Sequence, residues 1–170
     1  MKKRQNAGFS LIELVVAMAV IAVLIGIVYT RYSQANARSI VEKEVETLQT
    51  VRRAIMATYG TRSSFAGLNN NVLLAGNAIP DTIRGAAAGQ IKNVWTDNGY
   101  VVAPTNANQT YSITINQVPD RYCYDISAAV AAQNSDFESL VINGTAINTP
   151  ADAQAACSNG NNTMVYTGRR

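Results

Sequence analysis

Few side chains in this sequence are placed to do chemistry. Cys123 and Cys157 are the two thiols, Asp120 and Asp125 are close enough in sequence to be offered as an acid and base pair, and Glu13 stands inside an apolar run. That run extends from Phe9 to Val28, twenty residues of which only Ser10, Glu13 and Gly26 are neither aliphatic nor aromatic. A carboxylate costs about 2.5–3.5 kcal/mol at the centre of a membrane helix, less near its ends, and usually signals function.

Histidine is absent, which removes the commonest general base near neutral pH and the commonest transition-metal ligand. Serine–histidine triads and histidine-containing zinc sites are thereby excluded. Two cysteines are too few for a cysteine-rich zinc site or an iron–sulfur cluster. One disulfide in an oxidising compartment is the economical reading, with two separate buried thiols as the alternative. Asp120 and Asp125 follow Pro119, and turn chemistry there accounts for both without catalysis. No catalytic residue, metal site or cofactor is therefore expected. The net charge of +3 is concentrated at one end, because Lys2, Lys3 and Arg4 lie in the first eight residues and the remainder carries 11 basic against 11 acidic side chains. No basic patch argues for nucleic acid.

The elements that carry these residues follow from periodicity. The 170 residues suit one globular body with an appendage. At about 1.5 Å per residue, the apolar run makes a helix of roughly 30 Å, the thickness of a bilayer core. It is too long for a secretory signal, and Arg31 and Tyr32 follow it where a small-residue cut site would stand. As a plain anchor it would leave Met1 in the cytoplasm. Val41, Val45, Leu48, Val51, Ile55 and Tyr59 then recur at spacings of three and four, so one helix is expected from about Ser10 to Tyr59. Lys43, Glu44, Glu46, Arg52 and Arg53 fall on its opposite face, which reads as solvated or subunit-contacting. Gly26 is the one helix-weakening residue of that span.

Past Gly60, helical turns are expected around Leu68–Leu74 and Pro80–Arg84, with Leu68, Val72, Leu73, Ile79 and Ile83 as apolar anchors. Asn93–Trp95 and Tyr100–Ala103 flank Asp97, Asn98 and Gly99 as a hairpin would. Thr110–Val118 alternates Tyr111, Ile113 and Ile115 with Ser112, Thr114 and Asn116, the pattern of a half-buried strand. A helix with Pro119 early, a strand near Leu140, a short helix capped by Thr149 with Pro150 first and carrying Ala153–Cys157, and a last strand at Thr163–Gly168 complete the reading.

The segment GFSLIEL, at Gly8–Leu14, resembles the processing site of type IV prepilins. The resemblance implies cleavage by a prepilin peptidase between Gly8 and Phe9, N-methylation of Phe9, and a role for Glu13 in assembly, meeting the terminal amine of a neighbouring subunit. GNAIPDTI, IKNVWTDNGYVVAP and TYSITINQVPDRYC, in that order, are similar to type IVb pilins of the toxin-coregulated, longus and conjugative thin-pilus kind. The eight-residue leader and a phenylalanine start are more like type IVa, while Thr30 stands where many type IVa pilins have proline.

The implied fold is α+β, a long N-terminal helix packed on an antiparallel β-sheet whose last strand is inserted away from its sequence neighbour, with one disulfide between Cys123 and Cys157. The implied organisation is a leader at 1–8, a long helix at 9–59 of which 9–30 is transmembrane segment and filament core, and a head domain at 60–170. The implied function is that of a major pilin, not an enzyme. It would be held in the inner membrane, N-terminus cytoplasmic and head periplasmic, and polymerised into an extracellular filament for adhesion, aggregation or conjugation. Implied partners are further copies of itself, the prepilin peptidase, an inner-membrane assembly platform with its ATPase, an outer-membrane secretin, and host-cell, recipient-cell or phage contacts. The alternatives are a minor pilin or a type II secretion pseudopilin, the calcium site of the latter being poorly served by an acid-free Cys157–Arg170. A membrane-anchored binding module or enzyme is more remote.

Overall fold

In the computed structural model, which describes residues 10–131, 136–158 and 160–169, the apolar run and the stripe behind it form a single helix, α1, over Leu11–Tyr59. The chain divides into two units between Ser39 and Ile40. In the first, α1 continues through Gly26, where an added Cβ would meet nothing within 4 Å. In the second, Val45, Leu48, Val51, Ile55 and Tyr59 are buried as the stripe requires.

Five strands, β1 (Tyr100–Thr105), β2 (Thr110–Pro119), β3 (Phe137–Ile142), β4 (Thr145–Ala146) and β5 (Asn161–Gly168), form one antiparallel sheet in the order β1-β2-β5-β3-β4. The last strand thus enters the sheet between β2 and β3. Alternation puts one face inward, and two rows cross four strands on it: Tyr100, Ile115, Met164 and Ile142, then Val102, Ile113, Tyr166 and Leu140. Burying such rows is the main stabilising term of the sheet, at roughly 1.5–3 kcal/mol per large side chain. Tyr111 opposes Gly168, and the glycine is required there, because a Cβ would lie 2.5 Å from the Tyr111 ring.

The alternation of β2 breaks once. Asn116 and Gln117 together oppose Thr163, a bulge in which Gln117 takes φ 60°. The extra residue returns Val118 to the interior, where it is fully buried. Pro119 closes β2 instead of opening the helix, and α3 begins one residue later, at Asp120–Ala131.

The shorter helices are α2 (Asn70–Ala75), one 3-10 turn at Asp81–Ile83, and α4 (Pro150–Ala156). Thr149 caps α4 in a capping box with Asp152, Pro150 sits in its first turn, and Cys157 is its C-cap. Leu68, Leu73 and Ile79 are buried anchors as expected, while Val72 and Ile83 are only half-buried.

The expected hairpin from Asn93–Trp95 to Tyr100–Ala103 does not form. Asn93 Oδ1 accepts from the backbone N–H of Trp95 at 2.9 Å and of Thr96 at 2.8 Å, which turns the chain where a strand would extend it. Gly99 then packs on Asn93, with room for no side chain, since a Cβ would stand 2.2 Å from the Asn93 nitrogen. Only Ile91 bridges to Tyr100 in antiparallel fashion.

Candidate assembly site and the anchors of the head

Gly8 and Phe9 lie outside the described residues. Glu13 lies in the first turn of α1, where its backbone N–H and that of Leu14 both bond to the Ser10 carbonyl, at 3.0 and 3.2 Å. The side chain is exposed, and so are the large apolar residues after it, from Leu11 at 81% to Val28 at 66%. Exposed faces of this size on soluble proteins mark sites of contact. The helix is long and apolar enough to cross a membrane. The site is therefore an apolar cylinder carrying one carboxylate near its start.

Two polar anchors hold the second half of α1 in the head, and both correct the expected solvent face. Glu44 is 2% exposed. Its Oε2 accepts from the Tyr100 hydroxyl at 2.7 Å and its Oε1 from the Val94 N–H at 2.8 Å. Burial pushes its carboxyl above the usual range, although both hydrogen bonds work against the rise. Tyr100 is pushed up as well, first by burial and then by Glu44. The signal was present in the sequence, because Val41, Glu44, Leu48, Val51 and Ile55 themselves follow spacings of three and four. A carboxylate inside a stripe reads as solvated until its partners, some 50 residues away, are placed beside it.

Arg52 lies at the edge of the stripe, seven residues from Val45 and from Tyr59, and donates through Nε and Nη2 to the two oxygens of Asp136. The Tyr111 hydroxyl donates to Asp136 Oδ2 at 2.6 Å. Burial pushes the Asp136 carboxyl up, and the hydrogen bonds from Tyr111 and Arg52 together outweigh it, holding the group below the usual range. Tyr166 beside this cluster is pushed up to about 12, by burial and then by the Asp136 charge. Lys43, Glu46 and Arg53 are exposed as expected.

Cys123 of α3 and Cys157 after α4 are joined in a disulfide with Cα atoms 5.8 Å apart. One residue past Cys157, Ser158 donates its N–H at 2.9 Å to the fully buried Asn162, which also accepts from Asn143 Nδ2 at 2.7 Å and donates to the Val118 carbonyl at 3.1 Å. An asparagine in a Ser-Asn-Gly-Asn-Asn stretch carries no sequence mark of burial. Asn70, between Asn69 and Asn71, carries no such mark either. Its amide donates to the Tyr100 carbonyl and accepts from the Val102 N–H, so one side chain takes the place of a neighbouring strand at the β1 edge. Asp120 and Asp125 are both exposed on α3, and Asp120 is engaged by the Arg121 N–H at 2.7 Å, so no acid and base pair is assembled.

A long helix, apolar and then striped, on an antiparallel sheet with its last strand inserted and one disulfide is the fold of a type IV pilin. The chain belongs to the family described as PilS N terminal, which matches residues 35–169. The prokaryotic N-terminal methylation motif matches residues 3–29. Two relatives named major structural subunit of bundle-forming pilus, from Escherichia coli O127:H6 and O111:H-, are each 25% identical over 98% of this chain and 95% of theirs. The crystal structure of TcpA, a type IV pilin from Vibrio cholerae El Tor biotype, superposes with a TM-score of 0.55 at 13% identity, covering 78% of this chain and 99% of TcpA.

Proposed function

We propose that the chain is the major pilin of its filament, made as a prepilin, cut by a prepilin peptidase between Gly8 and Phe9 and methylated on the new Phe9 amine. Residues 1–8 are then a discarded leader, 9–30 a membrane segment that becomes filament core, and 60–170 the displayed head. Before assembly the N-terminus faces the cytoplasm and the head the periplasm. An inner-membrane platform with its ATPase, an outer-membrane secretin, and host-cell, recipient-cell or phage surfaces are the further partners of this reading.

The observation that carries it is the exposed apolar surface after Leu11, with Glu13 in its first turn, inside the span matched by the methylation motif. In lipid an isolated carboxylate is costly, and a cationic amine from another copy removes that cost by pairing with it. Glu13 would thus set the register in which copies join. The test is Glu13→Gln in cells with this chain as the sole pilin. Insertion and Gly8 cleavage should persist while surface filaments are lost, and a normal filament yield overturns the role.

A further inference from the structure

Lys43 of α1 and the turn Lys92–Asp97 line an open cavity of about 590 Å³. Neither ammonium has a carboxylate within ion-pair distance among the described residues. Glu44 feels the Lys43 charge but is buried and engaged by Tyr100 and Val94. Trp95, half-buried in the same lining, rests on Tyr122 with ring centroids 5.7 Å apart and planes 26° from parallel. Asp97 adds one exposed carboxylate to the rim.

The lining is also fixed in shape. Glu44 holds the Val94 N–H, Asn93 Oδ1 holds the Trp95 and Thr96 N–H groups, and Asn93 Nδ2 donates to the Asn116 carbonyl at 2.7 Å. A cavity whose walls are already hydrogen-bonded loses little freedom when filled.

We propose that this cavity binds an acidic sugar unit of an oligosaccharide. The sugar carboxylate lies between Lys43 and Lys92, the ring packs on Trp95, and ring hydroxyls donate to Asp97. Two cations suit one carboxylate, and an aromatic surface suits the apolar face of a pyranose. A nucleic-acid strand fits less well, because beyond the leader the chain carries 11 basic against 11 acidic side chains and lacks the positive stripe that tracks a phosphate backbone.

Trp95 is the one tryptophan of the sequence, so its fluorescence reads this cavity directly. Full-length chain in detergent micelles is titrated with sialyllactose and with a hyaluronan tetrasaccharide, against lactose and oligothymidylate. At least one acidic sugar should give a saturable change, at least about tenfold tighter than lactose, as expected for charge-assisted bonds. The two acidic probes separate a sialic-type unit from a uronate. Lys43→Gln with Lys92→Gln should abolish the change, and Lys43→Arg with Lys92→Arg should keep it. The proposal is overturned if neither acidic sugar saturates, if lactose binds as well, if oligothymidylate alone binds, or if the glutamine pair binds as the parent does. The lactose comparison needs no variant, so it stands even if the double substitution impairs folding. Because micellar monomers are used, the outcome is independent of whether Glu13 directs assembly.

Discussion

Glu44 and Asp136 are both buried carboxylates, yet acid acts on them in opposite senses. The folded pKa of Glu44 is raised, so its contribution to stability is full below the ordinary value of 4.5 and is lost as pH rises through the elevated folded value. That of Asp136 is lowered, so its contribution is present above the ordinary 3.8 and is lost as pH falls through the depressed folded value. Urea midpoints measured between about pH 3 and pH 7 should therefore separate them. Glu44→Gln should flatten the stability curve just above the ordinary carboxylate range, and Asp136→Asn should flatten its acid limb. Arg52→Ala should destabilise the head by about 2–3 kcal/mol at neutral pH, somewhat below the range for a fully buried pair. The discount reflects the 17% and 10% exposure of the two side chains. A loss smaller than about 1 kcal/mol, in the range of surface ion pairs, would mean that Tyr111 suffices to hold Asp136.

At the scale of elements, the disulfide closes a segment whose ends are 34 residues apart and ties α3 to the end of α4. In the chain-entropy account that is worth about 3–4 kcal/mol, so Cys123→Ser with Cys157→Ser should lower the urea midpoint by the corresponding amount. A negligible change would assign the fixing of α4 to the Asn143 and Asn162 cluster instead. These same elements show what the sequence made legible. The stripe of α1, the alternation of Tyr111, Ile113 and Ile115, and the Thr149-Pro150 start of α4 are local patterns, and each was readable. Asn93 reads as the start of a strand by its neighbours, but its own side chain competes for the backbone and turns the chain. Pro119 is compatible with a helix start or a strand end, and the bulge at Gln117 decides between them. The disulfide was legible from the type and setting of the two cysteines. Arg52 and Asp136 were not, because a pairing across 84 residues leaves no periodic trace.

For the molecule as a whole, the exposed apolar surface of α1 predicts how the protein fractionates. Unassembled chains should stay with membranes through salt and alkaline washes and be released by detergent, whereas sheared filaments should be free of lipid. Mass spectrometry of the filament subunit should find a chain beginning at Phe9 and heavier by one methyl group, and an intact Met1 would refute the proposed processing. The insertion of β5 between β2 and β3 also governs the order in which the head can come into being. As the polypeptide emerges, β1 and β2 can pair at once, but the inner edge of β2 stays open until Asn161–Gly168 arrives, and β3 has no long partner before then. Non-local pairing of this kind is slow and leaves strand edges open to other chains. A chain truncated between Ala146 and Asn161 has two half-sheets and no centre, and should be degraded faster than the full chain in a pulse-chase experiment. Among the described residues no other strand joins the two halves, so the sheet can be completed only after Asn161–Gly168 has been made.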